Sequence, residues 1–172
     1  MKKVDASNKN VRIAGEPDSP QNRLRAELYG EAFERINRGI KDEIYFEVIA
    51  LADSIITDRV QALTQDIIRD EREQYAWMSV GGAIEGLFSE VKTRSITLPP
   101  EIRGLLTQVH QVWSQKRNIA AHAFVVVTPK NLEQGVETRL DNLKDAAVEG
   151  AALARSITNE IDKYRSQRER ID

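Results

Sequence analysis

Residues 136–168 read VETRLDNLKDAAVEGAALARSITNEIDKYRSQR, and they decide the fold. Val136, Leu140, Leu143, Ala147, Ala151, Ala154, Ile157, Ile161 and Tyr164 step mostly by three and four. Positions so spaced share one face of an α-helix, so the stretch predicts a single long helix with one apolar seam. The alanines in the seam leave room for the backbone of a second helix to come close. Such a seam calls for a partner.

Working outward, the preceding segments read as helices of the same kind. Ala123-Phe124-Val125-Val126-Val127-Thr128-Pro129 is β-branched and ends in proline, so it predicts a short extended linker or strand-like crossing, not a sheet by itself. Before it, Ile102, Leu105, Leu106, Val109, Val112 and Trp113 mark a helix running toward Arg117, with Ser95 to Glu101 as the loop that starts it at Pro99-Pro100. Tyr75 to Lys92 predicts another helix, and its Gly81-Gly82 pair either starts that helix late or allows a close crossing. From Ile40 to about Asp70, Ile40, Ile44, Val48, Leu51, Ile55, Ile56, Leu63 and Ile67 repeat at helical spacing, with acidic Asp42-Glu43 suited to a helix N-terminus. Ser19-Pro20 resembles an N-cap followed by a first-turn proline. The stripe Leu24, Leu28, Ala32, Ile36 then leads to Gly39 as a stop or kink. Residues 1–18 are polar and aperiodic and read as a flexible arm; residues 19–172 read as one helical domain without internal repeats. The sum is an all-α, up-and-down bundle of four to five helices.

Composition closes off several function classes. The chain has 172 residues, enough to bury one core without staples. It has no cysteine, which removes disulfides, thiolate catalysis and cysteine zinc sites, and two histidines are too few for a histidine-rich metal site. No apolar run approaches the ~20 residues of a bilayer span, and polar residues follow Lys2-Lys3 where a signal peptide would be apolar. The expected location is the cytoplasm, with no membrane partner. The net charge is -2. General polyanion affinity needs many basic contacts, so any nucleic-acid site here must be a local one.

The stretch that carries chemistry is Arg117-Asn118-Ile119-Ala120-Ala121-His122. On a helix Asn118 and His122 are neighbours one turn apart, and the long Arg117 side chain wraps toward the same point. A guanidinium grips phosphate in bidentate fashion and offsets charge at a crowded phosphorus. An imidazole exchanges a proton with a ribose 2′-hydroxyl or a leaving oxygen. Asn118 then orients His122 or a phosphate oxygen. One histidine supplies one proton-transfer group, while internal RNA cleavage uses a base and an acid, so a two-fold dimer pairing two copies of the motif answers the shortfall. The plainer account is a helix-end histidine capping carbonyls beside a solvated arginine.

This motif, late in an all-helical domain, resembles the Arg-x(4–6)-His motif of the HEPN superfamily (higher eukaryotes and prokaryotes nucleotide-binding), in the Arg-Asn-x-x-x-His form common among HEPN ribonucleases. The run Phe46 to Arg59 is similar to a helix of HEPN-like bacterial proteins. The resemblance spans roughly residues 20–168, and only the six-residue motif is specific. It implies a HEPN-like bundle, a homodimer, and metal-independent, cofactor-free RNA cleavage leaving a 2′,3′-cyclic phosphate. Arg117 and His122 would be the catalytic pair and Asn118 the polar residue between them. Many relatives are toxins or antiphage effectors, which implies an antitoxin protein as a further partner; others are inactive and only bind nucleotides or partner proteins.

Other residues gather around this reading. Lys116, Arg103 and His110 are candidate substrate-binding residues: His110 falls two turns before Arg117, and Lys92, Arg94, Arg103, Lys116 and Arg117 would form a basic patch. Asp53 and Asp58 interrupt an apolar helix and are candidates to pair with Arg117 or His122 and tune the imidazole; the plainer account is a solvated face with Asp58 beside Arg59 on its rim. Glu43 and Glu47 stand one turn apart like a metal-binding pair, but no helical histidine accompanies them, so no metal is assigned. Tyr75, Trp77 and Trp113 have faces that stack on bases, although aromatics at helical spacing usually serve a core. The alternative function is a non-catalytic module whose alanine seam binds a partner protein or nucleotide.

Overall fold

The structure, a computed structural model, describes residues 20–68, 79–122 and 135–168, with the side chains of Gln21, Ile119, Ala121, His122 and Arg168 outside that description. The expected arm over 1–18, Ser19, Tyr75, Trp77 and the linker 123–129 also lie outside the described residues. Every regular element among the described residues is helical. The elements are α1 (Pro20–Lys41), α2 (Tyr45–Ile67), α3 (Val80–Thr93), α4 (Pro100–Gln108), a π-helical turn (Val109–Trp113), α5 (Ser114–His122) and α6 (Val136–Arg168). α4, the π turn and α5 form one continuous rod. The all-α bundle predicted from the sequence is the observed architecture.

The seam of α6 finds its partner inside the chain. Ala147, Ala151, Ala154, Ile157 and Ile161 are buried, and α6 packs most extensively on α2. Arg59 to Asp162 at 2.7 Å and Arg165 to Asp66 at 2.6 Å show the two helices running in the same direction. α2 touches α1, α3, α5 and α6, which is why its apolar residues cover more than one face. Only the first turns of α6 leave seam residues in water, Val136 at 70% and Leu140 at 43% exposure.

Two expectations for the N-terminal half need correction. The helix does not stop at Gly39 to restart at Ile40; α1 continues to Lys41 and α2 begins at Tyr45. The turn closes because Glu43 adopts φ 60° and the Ile44 amide donates to the Gly39 carbonyl at 2.7 Å, a Schellman-type end with glutamate where glycine is usual. Gly39 serves packing: a Cβ there would lie 2.7 Å from Val48 Cγ2. Of the expected α1 stripe, Ala32 and Ile36 meet the core and the two leucines do not. Leu24 and Leu28 are exposed, whereas Tyr29, Phe33, Ile36 and Ile40 meet the core. The aromatic face fits because α2 and α6 offer cations there: Arg59 lies 4.7 Å above the Tyr29 ring and Arg155 5.7 Å above Phe33.

α3 begins at Val80, with Ser79 Oγ accepting the Gly82 amide at 3.2 Å. Gly81-Gly82 therefore lie in its first turn, the late-start alternative. α4 begins at Pro100, where a missing N–H costs nothing.

Candidate functional site

The rod that carries the motif is set by its π turn. The Ser114 amide donates to the Val109 carbonyl five residues back, the bond that defines a π turn, and the Ser114 hydroxyl adds a second bond to the same oxygen at 3.0 Å. Trp113, the last residue of the turn, and Arg117, four residues on, reach the same carboxylate on α2. Trp113 Nε1 donates to Asp53 Oδ1 at 3.0 Å. Arg117 Nη1 donates to Asp53 Oδ1 and Oδ2 at 3.0 and 2.9 Å. Asp53 is thus the reason for the polar interruption in an apolar helix: one carboxylate answers two donors.

The other edge of the guanidinium turns to Asn118. Arg117 Nε and Nη2 donate to Asn118 Oδ1 at 3.3 and 3.0 Å, in an exposed setting. All three guanidinium nitrogens are therefore engaged. Asn118 Oδ1 holds Arg117, while the expectation that Asn118 orients His122 falls on a side chain outside those described. α5 carries His122 one turn beyond Asn118, and its imidazole lies outside the described side chains. The Arg117 and Asp53 side chains are only 27% and 23% exposed. Their pair is sheltered but within reach of solvent.

Trp113 anchors the cluster from below. It is 2% exposed, and a Cβ at Gly150 of α6 would overlap its ring. Glycine at 150 is thus required by close approach. Sequence reasoning had Trp113 only as a core or stacking aromatic and gave Gly150 no role; the four-residue spacing from Trp113 to Arg117 was the available signal.

The remaining candidates go elsewhere. Lys116 Nζ bonds Glu149 Oε1 of α6 at 2.6 Å, away from Asp53. Arg103 is exposed on α4, roughly 20 Å from Arg117 along the rod at the usual helical rise, too far to share its ligand. Arg94 pairs with Glu90 at 2.8 Å. Of the five residues of the expected basic patch, Arg94, Lys116 and Arg117 each answer their own carboxylate. His110 faces α3, with Nε2 3.4 Å from Glu85 Oε1 and its ring against Gly81. An unbroken α-helix would stack His110 and Arg117 within about 20° of one another. His110 lies within the π turn, which rotates less per residue than an α-helix, so the two residues meet different neighbours. Asp58 accepts from Tyr29 Oη at 2.7 Å and lies 3.7 Å from Arg25 Nε, so it does not join the Arg117 cluster. Arg59, its neighbour in sequence, bonds Asp162 of α6 at 2.7 Å.

Among the described residues no group of three or more His, Cys, Asp or Glu side chains is placed to hold a metal ion. Glu43 lies in the α1–α2 turn and Glu47 pairs with Arg35 at 3.3 Å, so they do not share a helix face. Among the same residues no helix is long and apolar enough to cross a membrane.

Chemically, the site is a guanidinium with two unequal edges. The Nη1 corner is held by a carboxylate, while the Nε–Nη2 edge is held by a neutral, exposed amide oxygen. Charged acceptors bind N–H donors about twice as strongly as neutral ones. An incoming phosphate would therefore replace Asn118 Oδ1 more readily than Asp53. Comparison with protein-family models, with curated proteins and with solved structures finds no match to this chain.

Proposed function

We propose that the chain is a metal-independent endoribonuclease of the HEPN type, acting as a homodimer. The observation that carries the reading is the fork edge of Arg117, offered to solvent under a displaceable amide one helical turn before His122. In this mechanism the scissile phosphate takes the Nε–Nη2 edge in bidentate fashion, and Asp53 holds the far corner so that the guanidinium cannot turn away. His122 transfers a proton between the ribose 2′-hydroxyl, or the leaving 5′-oxygen, and solvent. The second proton-transfer group comes from the His122 of a second copy across a two-fold axis. As a toxin or antiphage effector in the cytoplasm, such an enzyme would be held by an antitoxin protein.

The test compares RNA cleavage in EDTA by wild type, Arg117→Ala and His122→Ala. Cleavage by wild type alone, with cyclic phosphate ends, supports the reading. Equal cleavage by all three, or none by pure wild type, overturns it.

A second reading is a non-catalytic helical module that binds a partner protein or nucleotide. It is favoured by the complete engagement of the Arg117 guanidinium, which makes the motif a clamp between α5 and α2. It no longer draws on the α6 seam, which is buried within the chain.

A further inference from the structure

We infer that Trp113 is a positioning residue for the phosphate-binding edge of Arg117, acting through Asp53. The inference rests on the ribonuclease reading of the site and adds to it a residue outside the Arg-Asn-x-x-x-His motif.

A lone carboxylate facing an arginine can rotate, and the guanidinium plane follows it. Here Asp53 Oδ1 accepts from the Trp113 indole at 3.0 Å as well as from Arg117 Nη1 at 3.0 Å. The indole pins one oxygen, so the other is placed for the second contact to Nη1 at 2.9 Å. With the Nη1 corner set, the Nε–Nη2 edge points away from Asp53 toward Asn118 and solvent. The indole is itself closely packed, because it is buried and lies on the bare backbone of Gly150. Its backbone is held by the π turn, whose Val109 carbonyl is satisfied by Ser114. Orientation thus passes from the Gly150 backbone through indole and carboxylate to guanidinium. Each step is a contact with little freedom left, the requirement for a preorganised group.

Trp113→Phe removes the donor and keeps most of the ring. Two readouts separate positioning from mere packing. The first is the Arg117 Nε–H cross-peak in a proton–nitrogen spectrum of the folded protein. In Trp113→Phe this peak should move and exchange with water several-fold faster. The second is cleavage: kcat should fall about tenfold while KM changes little, since misplacement of a bound group acts on the reacting geometry. An unchanged Arg117 cross-peak in folded Trp113→Phe overturns the inference. Should that variant not fold, Arg117→Lys reads the relay from the other end: the Trp113 indole resonance, assigned with Trp77→Phe, must shift, and an unmoved resonance overturns the inference equally. A wild type that leaves RNA intact sinks the ribonuclease reading alone, because the resonances still decide whether Trp113 sets Arg117.

Discussion

Lys116 and Arg117 are adjacent cations on one helix, and each meets a carboxylate on another helix, yet they are unlike in kind. Lys116 reaches Glu149 on α6 with both side chains more than two-fifths exposed (42% and 49%). Arg117 reaches Asp53 on α2 with both about a quarter exposed, and Trp113 and Asn118 share the same group of atoms. The first is a point charge held in water, where ordering two long side chains cancels most of the Coulomb gain. The second is a sheltered, multiply bonded cluster in which removing one member strands the others. A pair becomes a site when neighbouring donors share its acceptors, and only the second pair meets that condition.

The comparison can be broken experimentally, beginning at the anchor. Trp113→Ala should cost about 3–5 kcal/mol in urea unfolding, since it empties a buried indole site and strands Asp53. A loss as small as a surface substitution would show that the cluster stands without its floor. Asp53→Ala should cost about 1–3 kcal/mol, because it leaves the indole N–H and a sheltered guanidinium without their acceptor. Double-mutant cycles then sharpen the contrast. The Asp53–Arg117 coupling should lie near 1–2 kcal/mol, and that of Lys116–Glu149 at about 0.5 kcal/mol or less. Equal couplings would remove the distinction. The smallest effect is that of salt: raising it toward ~1 M, where the screening length is about 3 Å, should abolish the Lys116–Glu149 coupling and leave most of the Asp53–Arg117 coupling.

The same contrast explains which parts of the site the sequence revealed. Arg117 and Asn118 are visible as a motif because their spacing is local. Asp53 is visible as a polar break in an apolar helix, although 64 residues separate it from Arg117, and its choice of partner is not. The sequence left Asp53 and Asp58 as equivalent candidates. Packing separates them: the face of α2 that bears Asp58 meets Tyr29 of α1, and the one that bears Asp53 meets the rod. His110 and Arg117 look stacked only while the helix is assumed regular. The π turn that contains His110 breaks that register, and the apolar spacing does not record it.

Helical periodicity by itself determined the class of fold, the long seam of α6 and the place of the motif on a helix, because each depends on residues three and four apart. The absence of cysteine likewise removed whole branches of chemistry without any coordinates. Tertiary structure alone decided that the seam is used within the chain, that Tyr29 and Phe33 rather than Leu24 and Leu28 join Ile36 on the core face of α1, and that Asp53 belongs to Arg117. Those outcomes depend on which of several apolar or charged faces meet. The free-energy differences among such pairings arise from contacts between residues distant in the chain, where spacing along the sequence carries no information.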